Sequence, residues 1–126
     1  MSEPKTLVDL LRTERSGEQR LGFFEKPGQY RWMTVDELRD AALRRLGDLQ
    51  RAGLTGGQEV VMPVDDPAAF VEIFWACQLG GLIAVPLAPP SNESSRAKIV
   101  DILTRRSAAA LVIEESGLER LSESGV

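Results

Sequence analysis

Asp66–Pro90 reads DPAAFVEIFWACQLGGLIAVPLAPP, and its reading decides the fold. Asp66 has the side chain of an N-cap, and Pro67 falls at the first helical position, where a missing N–H costs nothing. Phe70, Val71, Ile73, Phe74, Ala76, Cys77 and Leu79 then cover most of the helix circumference, the pattern of a buried helix. Gly80 and Gly81 stop it. Leu82-Ile83-Ala84-Val85 follows at once as a continuous apolar run, which predicts a strand covered on both faces. Pro86, Pro89 and Pro90 end that strand. A buried helix feeding a buried strand through a glycine turn is half of a βαβ unit.

The other half lies upstream. Val60-Val61-Met62-Pro63-Val64 predicts a buried strand, expected parallel to Leu82–Val85 and joined to it by a right-handed crossover. Downstream, Ser91-Asn92-Glu93-Ser94-Ser95 offers several helix caps. Ile99, Val100, Ile102 and Leu103 form the apolar face of a helix running to about Arg106. Ala108–Ile113 predicts a third buried strand. The fold class is α/β: a three-layer, parallel β-α-β-α-β core of doubly wound, flavodoxin-like type. From Glu114 the chain turns polar, and 114–126 reads as a weakly ordered end with one short helical turn around Leu118 and Leu121.

Before the core, Thr6–Asp9 opens a first helix that fades by Ser16-Gly17. Arg20–Met33 reads as a β-hairpin, with Lys26-Pro27-Gly28-Gln29 a type II turn in which Gly28 takes the positive φ. Its aromatics could stack bases or sugars, but cross-strand packing explains them more simply. Thr34-Val35-Asp36-Glu37 is a capping box, so Thr34 and Glu37 are read as structural. Val35, Leu38, Ala42, Leu46 and Leu49 then recur at helical spacing, and Gly53 ends the helix. Thr55-Gly56-Gly57 is a turn; a phosphate loop there would need wider glycine spacing and a Lys.

At 126 residues the chain is one domain or part of one. A net charge of -4 and the lack of a basic stripe argue against nucleic acid. With no histidine, His-based triads and His metal sites are excluded within the chain. The single Cys77 lies in the apolar helix and reads as a small buried hydrophobe rather than a nucleophile. Asp65 and Asp66 sit at a strand's carboxyl end, where α/β sheets often place ligands. With no third ligand near them, a helix cap and turn solvation explain them better. There is no signal-peptide pattern and no apolar run of about 18 residues. The expected compartment is the cytoplasm, with no membrane partner.

Three segments also resemble a known family. Leu79, Gly81, Val85, Pro86 and Leu87 fit the second conserved motif of the adenylate-forming enzymes, roughly Leu-x-Ala-Gly-x-x-x-Val-Pro-Leu. This superfamily comprises acyl-CoA synthetases, fatty acyl-AMP ligases and nonribosomal peptide synthetase adenylation domains. Trp32, Thr34, Glu37 and Leu38 are similar to its first motif, Thr/Ser-Tyr-x-Glu-Leu, with Val35 where an aromatic is usual. Gly53–Val61 resembles its Gly-Leu-x-x-Gly-Asp-x-Val segment, departing at Gln58-Glu59. The matches are ordered and span nearly the whole chain.

The resemblance implies an N-terminal segment of such an enzyme, truncated before its ATP-phosphate loop and inactive alone. The parent would join a carboxylate to ATP with magnesium, then pass the acyl group to coenzyme A or a phosphopantetheine thiol. No catalytic, cofactor-binding or metal residue falls within this chain. The wording around Leu79–Pro90 is nearer to fatty acyl-AMP ligases and to polyketide or nonribosomal peptide synthetase loading domains. Expected partners are the remainder of the domain, neighbouring synthetase domains, a carrier protein, and a second copy through surface left exposed. The alternative is an adenylation-like module kept for docking in a megasynthase.

Overall fold

The computed structural model describes residues 20–106, 108 and 110–123. The helix expected from Thr6 lies outside the described residues. Strands β1 (Arg20–Lys26) and β2 (Gln29–Thr34) form an antiparallel hairpin. Gly28 has φ 79°, the value that the third position of its turn requires. Gly22 pairs with Trp32. A Cβ on Gly22 would lie 2.8 Å from the Trp32 ring, so this glycine lets the indole lie across the neighbouring strand.

Helix α1 (Val35–Arg51) starts from the anticipated capping box: Glu37 N–H donates to Thr34 Oγ1 at 3.1 Å, and Thr34 N–H donates to Glu37 Oε1 at 3.2 Å. It buries Leu38, Ala41, Ala42 and Leu46. Its end is a Schellman motif. Gly53 N–H bonds Gln50 O, Leu54 N–H bonds Leu49 O, and Gly53 takes φ 98°.

The core unit follows as β3 (Glu59–Met62), α2 (Pro67–Gly80), β4 (Ile83–Pro86), α3 (Glu93–Arg105) and β5 (Ala110–Leu111). The three strands are parallel in the order β4-β3-β5. The chain therefore steps from the central strand to one neighbour and then back across to the other. Right-handed crossovers in opposite directions place their helices on opposite faces of the sheet. On one face Val60, Met62 and Val64 pack with Ile73, Ala76 and Cys77, and α1 stacks on α2 through Leu46 and Leu49. Val61 points to the other face and is equally buried, as is Ile99 of α3. Asn92 and Ser95 form a reciprocal capping box at the start of α3.

Four expectations need correction. The Leu82–Val85 strand is not covered on both faces: β4 is an edge strand, and Ile83 is 48% exposed. Among the described residues only its side toward β3 is paired, because the next strand lies across β3 instead of beyond β4. The third strand is two residues long and half-buried, for the same lack of a second neighbour among the described residues. Helix α2 buries Ala68, Ile73, Ala76 and Cys77, whereas Phe70, Val71, Phe74, Trp75 and Leu79 are only half-buried. At the other end, α4 (Glu115–Ser122) runs two turns instead of one. It is held by Leu121, which is buried, and by Gly117, where a Cβ would lie 2.9 Å from Ile113.

Burial pushes the Cys77 thiol up to about 11, so it stays protonated and shielded at neutral pH. An Ellman assay should detect no reactive thiol in the native chain and one per chain in denaturant.

Candidate functional site at the carboxyl end of the parallel sheet

Ligands of open α/β sheets sit beyond the carboxyl ends of the strands. Here that end gathers Asp65 and Asp66 after β3, Pro86 as the last residue of β4, and Glu114 after β5. The chain fills this position with its own carboxylate. Glu114 Oε1 and Oε2 each accept from Asp65 N–H at 3.0 Å, and Oε2 also accepts from Asp66 N–H at 2.8 Å. Asp66 is likewise committed: its Oδ2 accepts from Ala69 N–H at 3.1 Å as the N-cap of α2. The same oxygen lies 3.6 Å from Arg31 Nη2 of the hairpin. The guanidinium of Arg31 also stands 5.9 Å from the centre of the Phe23 ring.

This arrangement does structural work. It ties the ends of β3 and β5 together, fixes the first turn of α2, and docks the hairpin on the body. No group of three metal-ligating side chains occurs among the described residues. Asp65 and Asp66 are adjacent, as the sequence places them, yet their surroundings are those of a turn and a cap. Replacing Glu114 by Ala should cost about 1–2 kcal/mol, the worth of a charged hydrogen-bond acceptor, read as a lower urea midpoint with unchanged slope.

The family-motif residues fall into two places. Thr34, Glu37 and Leu38 form the first turn of α1, with Leu38 buried and Trp32 60% exposed just before it. Leu79, Gly81, Val85 and Pro86 form the α2–β4 junction. Gly81 takes φ 69°, Leu82 N–H bonds Cys77 O at 2.8 Å, and Gly57 N–H bonds Gly81 O at 2.8 Å. The Thr55-Gly56-Gly57 turn is therefore a brace for this junction. A Cβ on Gly56 would come within 3.6 Å of Gly80 O.

Three polar links have no local signature in the sequence. Arg106 donates to both carboxylate oxygens of Glu59, joining the end of α3 to the start of β3. Arg45 Nε donates to Glu72 at 3.1 Å and links α1 to α2. Glu114 is the third; a lone carboxylate at a strand's carboxyl end was its only hint. The Arg106 guanidinium holds the Glu59 carboxyl below its ordinary pKa. A depressed carboxylate adds stability above its unfolded pKa, and that stability is lost as pH falls through the folded value. Glu59→Gln should accordingly flatten the loss of stability below about pH 4 in acid titration followed by circular dichroism.

An open groove of about 630 Å³ lies over α3, lined by Glu93, Arg96, Val100, Asp101, Thr104 and Glu123 among others. Its one hydroxyl, Thr104 Oγ1, donates to Val100 O at 2.7 Å, and Asp101 pairs with Arg105 at 2.8 Å. It offers a solvated surface, without a nucleophile and base in register.

No protein-family model matches the chain. Solved structures do. A fatty acid AMP ligase from Legionella pneumophila superposes with a TM-score of 0.82 at 25% identity, over 90% of this chain and 20% of its own. The adenylation domain of a keto acid-selecting nonribosomal peptide synthetase module gives 0.79 at 23% identity, over 96% and 23%. An acyl-CoA synthetase from Brucella canis gives 0.77 at 20% identity, over 89% and 20%. The chain has the fold of part of an adenylate-forming enzyme, as its three motifs imply. It spans about a fifth of the length of these structures.

Proposed function

We propose that this chain is the N-terminal segment of an ATP-dependent carboxylate-adenylating ligase. The observation that carries the reading is the coincidence of three ordered motifs with a 0.82 superposition on a fatty acid AMP ligase at 25% identity. In the longer protein a carboxylate would attack ATP, giving acyl-AMP and pyrophosphate. A coenzyme A or carrier-protein phosphopantetheine thiol would then take the acyl group and release AMP. The acidic groups at the sheet's carboxyl end accept from backbone N–H groups and cap a helix. In this reading ATP and magnesium would be held by the remainder of the longer polypeptide. This chain's own task is to form the buried βαβ frame that supports the rest of the domain. The setting we favour is cytoplasmic, in a fatty acyl-AMP ligase or a polyketide or nonribosomal peptide synthetase loading domain. Among the described residues no helix is long and apolar enough to cross a membrane.

A second reading, a docking module without chemistry, draws on Tyr30 and Trp32, which stand 6.0 Å apart on the hairpin and are both more than half exposed. ATP–pyrophosphate exchange with a panel of fatty, keto and amino acids tests both. The ligase reading expects no exchange by residues 1–126 and sustained exchange by the longer polypeptide that contains them. Exchange by the 126-residue chain alone would overturn it, and a longer polypeptide without exchange would favour docking.

A further inference from the structure

Three side chains at the carboxyl end of the sheet are linked in series, and they come from three separate pieces of the chain. Glu114, between β5 and α4, accepts from Asp66 N–H at 2.8 Å and from Asp65 N–H at 3.0 Å. Asp66, the N-cap of α2, accepts from Ala69 N–H at 3.1 Å through Oδ2. The same oxygen faces Arg31 Nη2 of the hairpin at 3.6 Å. Glu114 itself forms no hydrogen bond or ion pair with the hairpin among the described residues.

The hairpin is a sheet of its own: among the described residues no strand pairing joins β1 or β2 to the parallel sheet. Both side chains of the Arg31–Asp66 pair are about half exposed, so the contact is weak and screened by salt. A weak contact is made or lost by small changes in where its carboxylate points. That direction is fixed twice over, by Ala69 N–H on the side chain and by Glu114 on the backbone of Asp65 and Asp66. The carboxyl end of the sheet, where open α/β sheets place ligands, is thereby linked to the hairpin. The hairpin in turn displays Tyr30 and Trp32, which are 56% and 60% exposed.

We propose that Glu114, Asp66 and Arg31 form a conformational relay, in which Glu114 is a positioning residue for the Arg31–Asp66 contact and its release lets the hairpin lift while the parallel sheet stays folded. The relay does not depend on the ligase reading. Hydrogen exchange read by mass spectrometry over residues 20–34 and 59–64 tests it on the wild type, Glu114→Ala, Glu114→Gln, Arg31→Ala and the Glu114/Arg31 double variants. Loss of an exposed ion pair shifts a local opening equilibrium by up to about fivefold. Glu114→Ala should therefore speed exchange over 20–34 by about two- to fivefold, as Arg31→Ala does, and the double variant should go no further. Glu114→Gln keeps one acceptor oxygen and should fall between wild type and Glu114→Ala. If Glu114→Ala fails to fold, the cycle of Glu114→Gln with Arg31→Ala reads the same coupling. Unchanged exchange over 20–34 in the Glu114 variants would overturn the proposal. So would a Glu114 effect of the same size with and without Arg31, or one that is equal over 20–34 and 59–64, since a general loss of stability gives both.

Discussion

Ile99→Ala should lower the stability of the chain by about 2–5 kcal/mol, the range for emptying a fully buried aliphatic site. Ile99 is the one residue of α3 that is fully buried, at 0% exposure. The right-handed crossover places α3 on the sheet face opposite α1 and α2, and Val100, Ile102 and Leu103 of the same helix are only half-buried. Leu43→Ala is the matched control. Leu43 is 50% exposed on α1, and its truncation should stay within about 0.5 kcal/mol. Urea unfolding of both variants separates the two outcomes. Equal effects would mean that α3 does not seal the second face of the sheet.

Gly80→Ala should also destabilise, although Ala is the better helix former by about 1 kcal/mol. A Cβ at this position would stand 2.4 Å from Leu46 Cδ1. Leu46 is itself buried in the main core, where α1 stacks on α2, and has little room to retreat. Overpacking of this kind costs about 1–3 kcal/mol and outweighs the gain in propensity. The mechanism has its own check, a double-mutant cycle with Leu46→Ala. If the clash is with Leu46, Gly80→Ala becomes neutral or stabilising in the truncated background, a coupling that distant sites do not show. An additive cycle would locate the cost elsewhere.

Features set by a few neighbouring residues were legible in the sequence. The Thr34–Glu37 box, the Gly28 turn, the Gly53 and Gly81 helix ends and the Asp66 cap each follow from chemistry within a span of about four residues. The parallel βαβαβ class was legible too, because apolar runs alternate with a helical period. Strand order was not. Leu82-Ile83-Ala84-Val85 looks like a central strand, since apolarity reports burial without telling which neighbour supplies it. The same limit applies to α2: seven apolar residues ask for cover all round, and the described residues cover only part of it. Glu114 binds backbone 48 and 49 residues away, and Arg106 binds Glu59 across 47; no local pattern announces such links. Of the motif residues, Thr34, Glu37 and Gly81 lie at helix ends, Leu38 and Leu79 lie within helices, and Trp32, Val85 and Pro86 lie in strands.

The measurement that most directly tests the central claim is the size of the native polypeptide that carries this segment, read on an immunoblot with antibody raised against residues 20–123. The account predicts a band several times the size of the 126-residue chain, because the matched ligases are about five times as long. A native band at the size of 126 residues would contradict it, and would leave a βαβ frame that has to act through its surfaces alone.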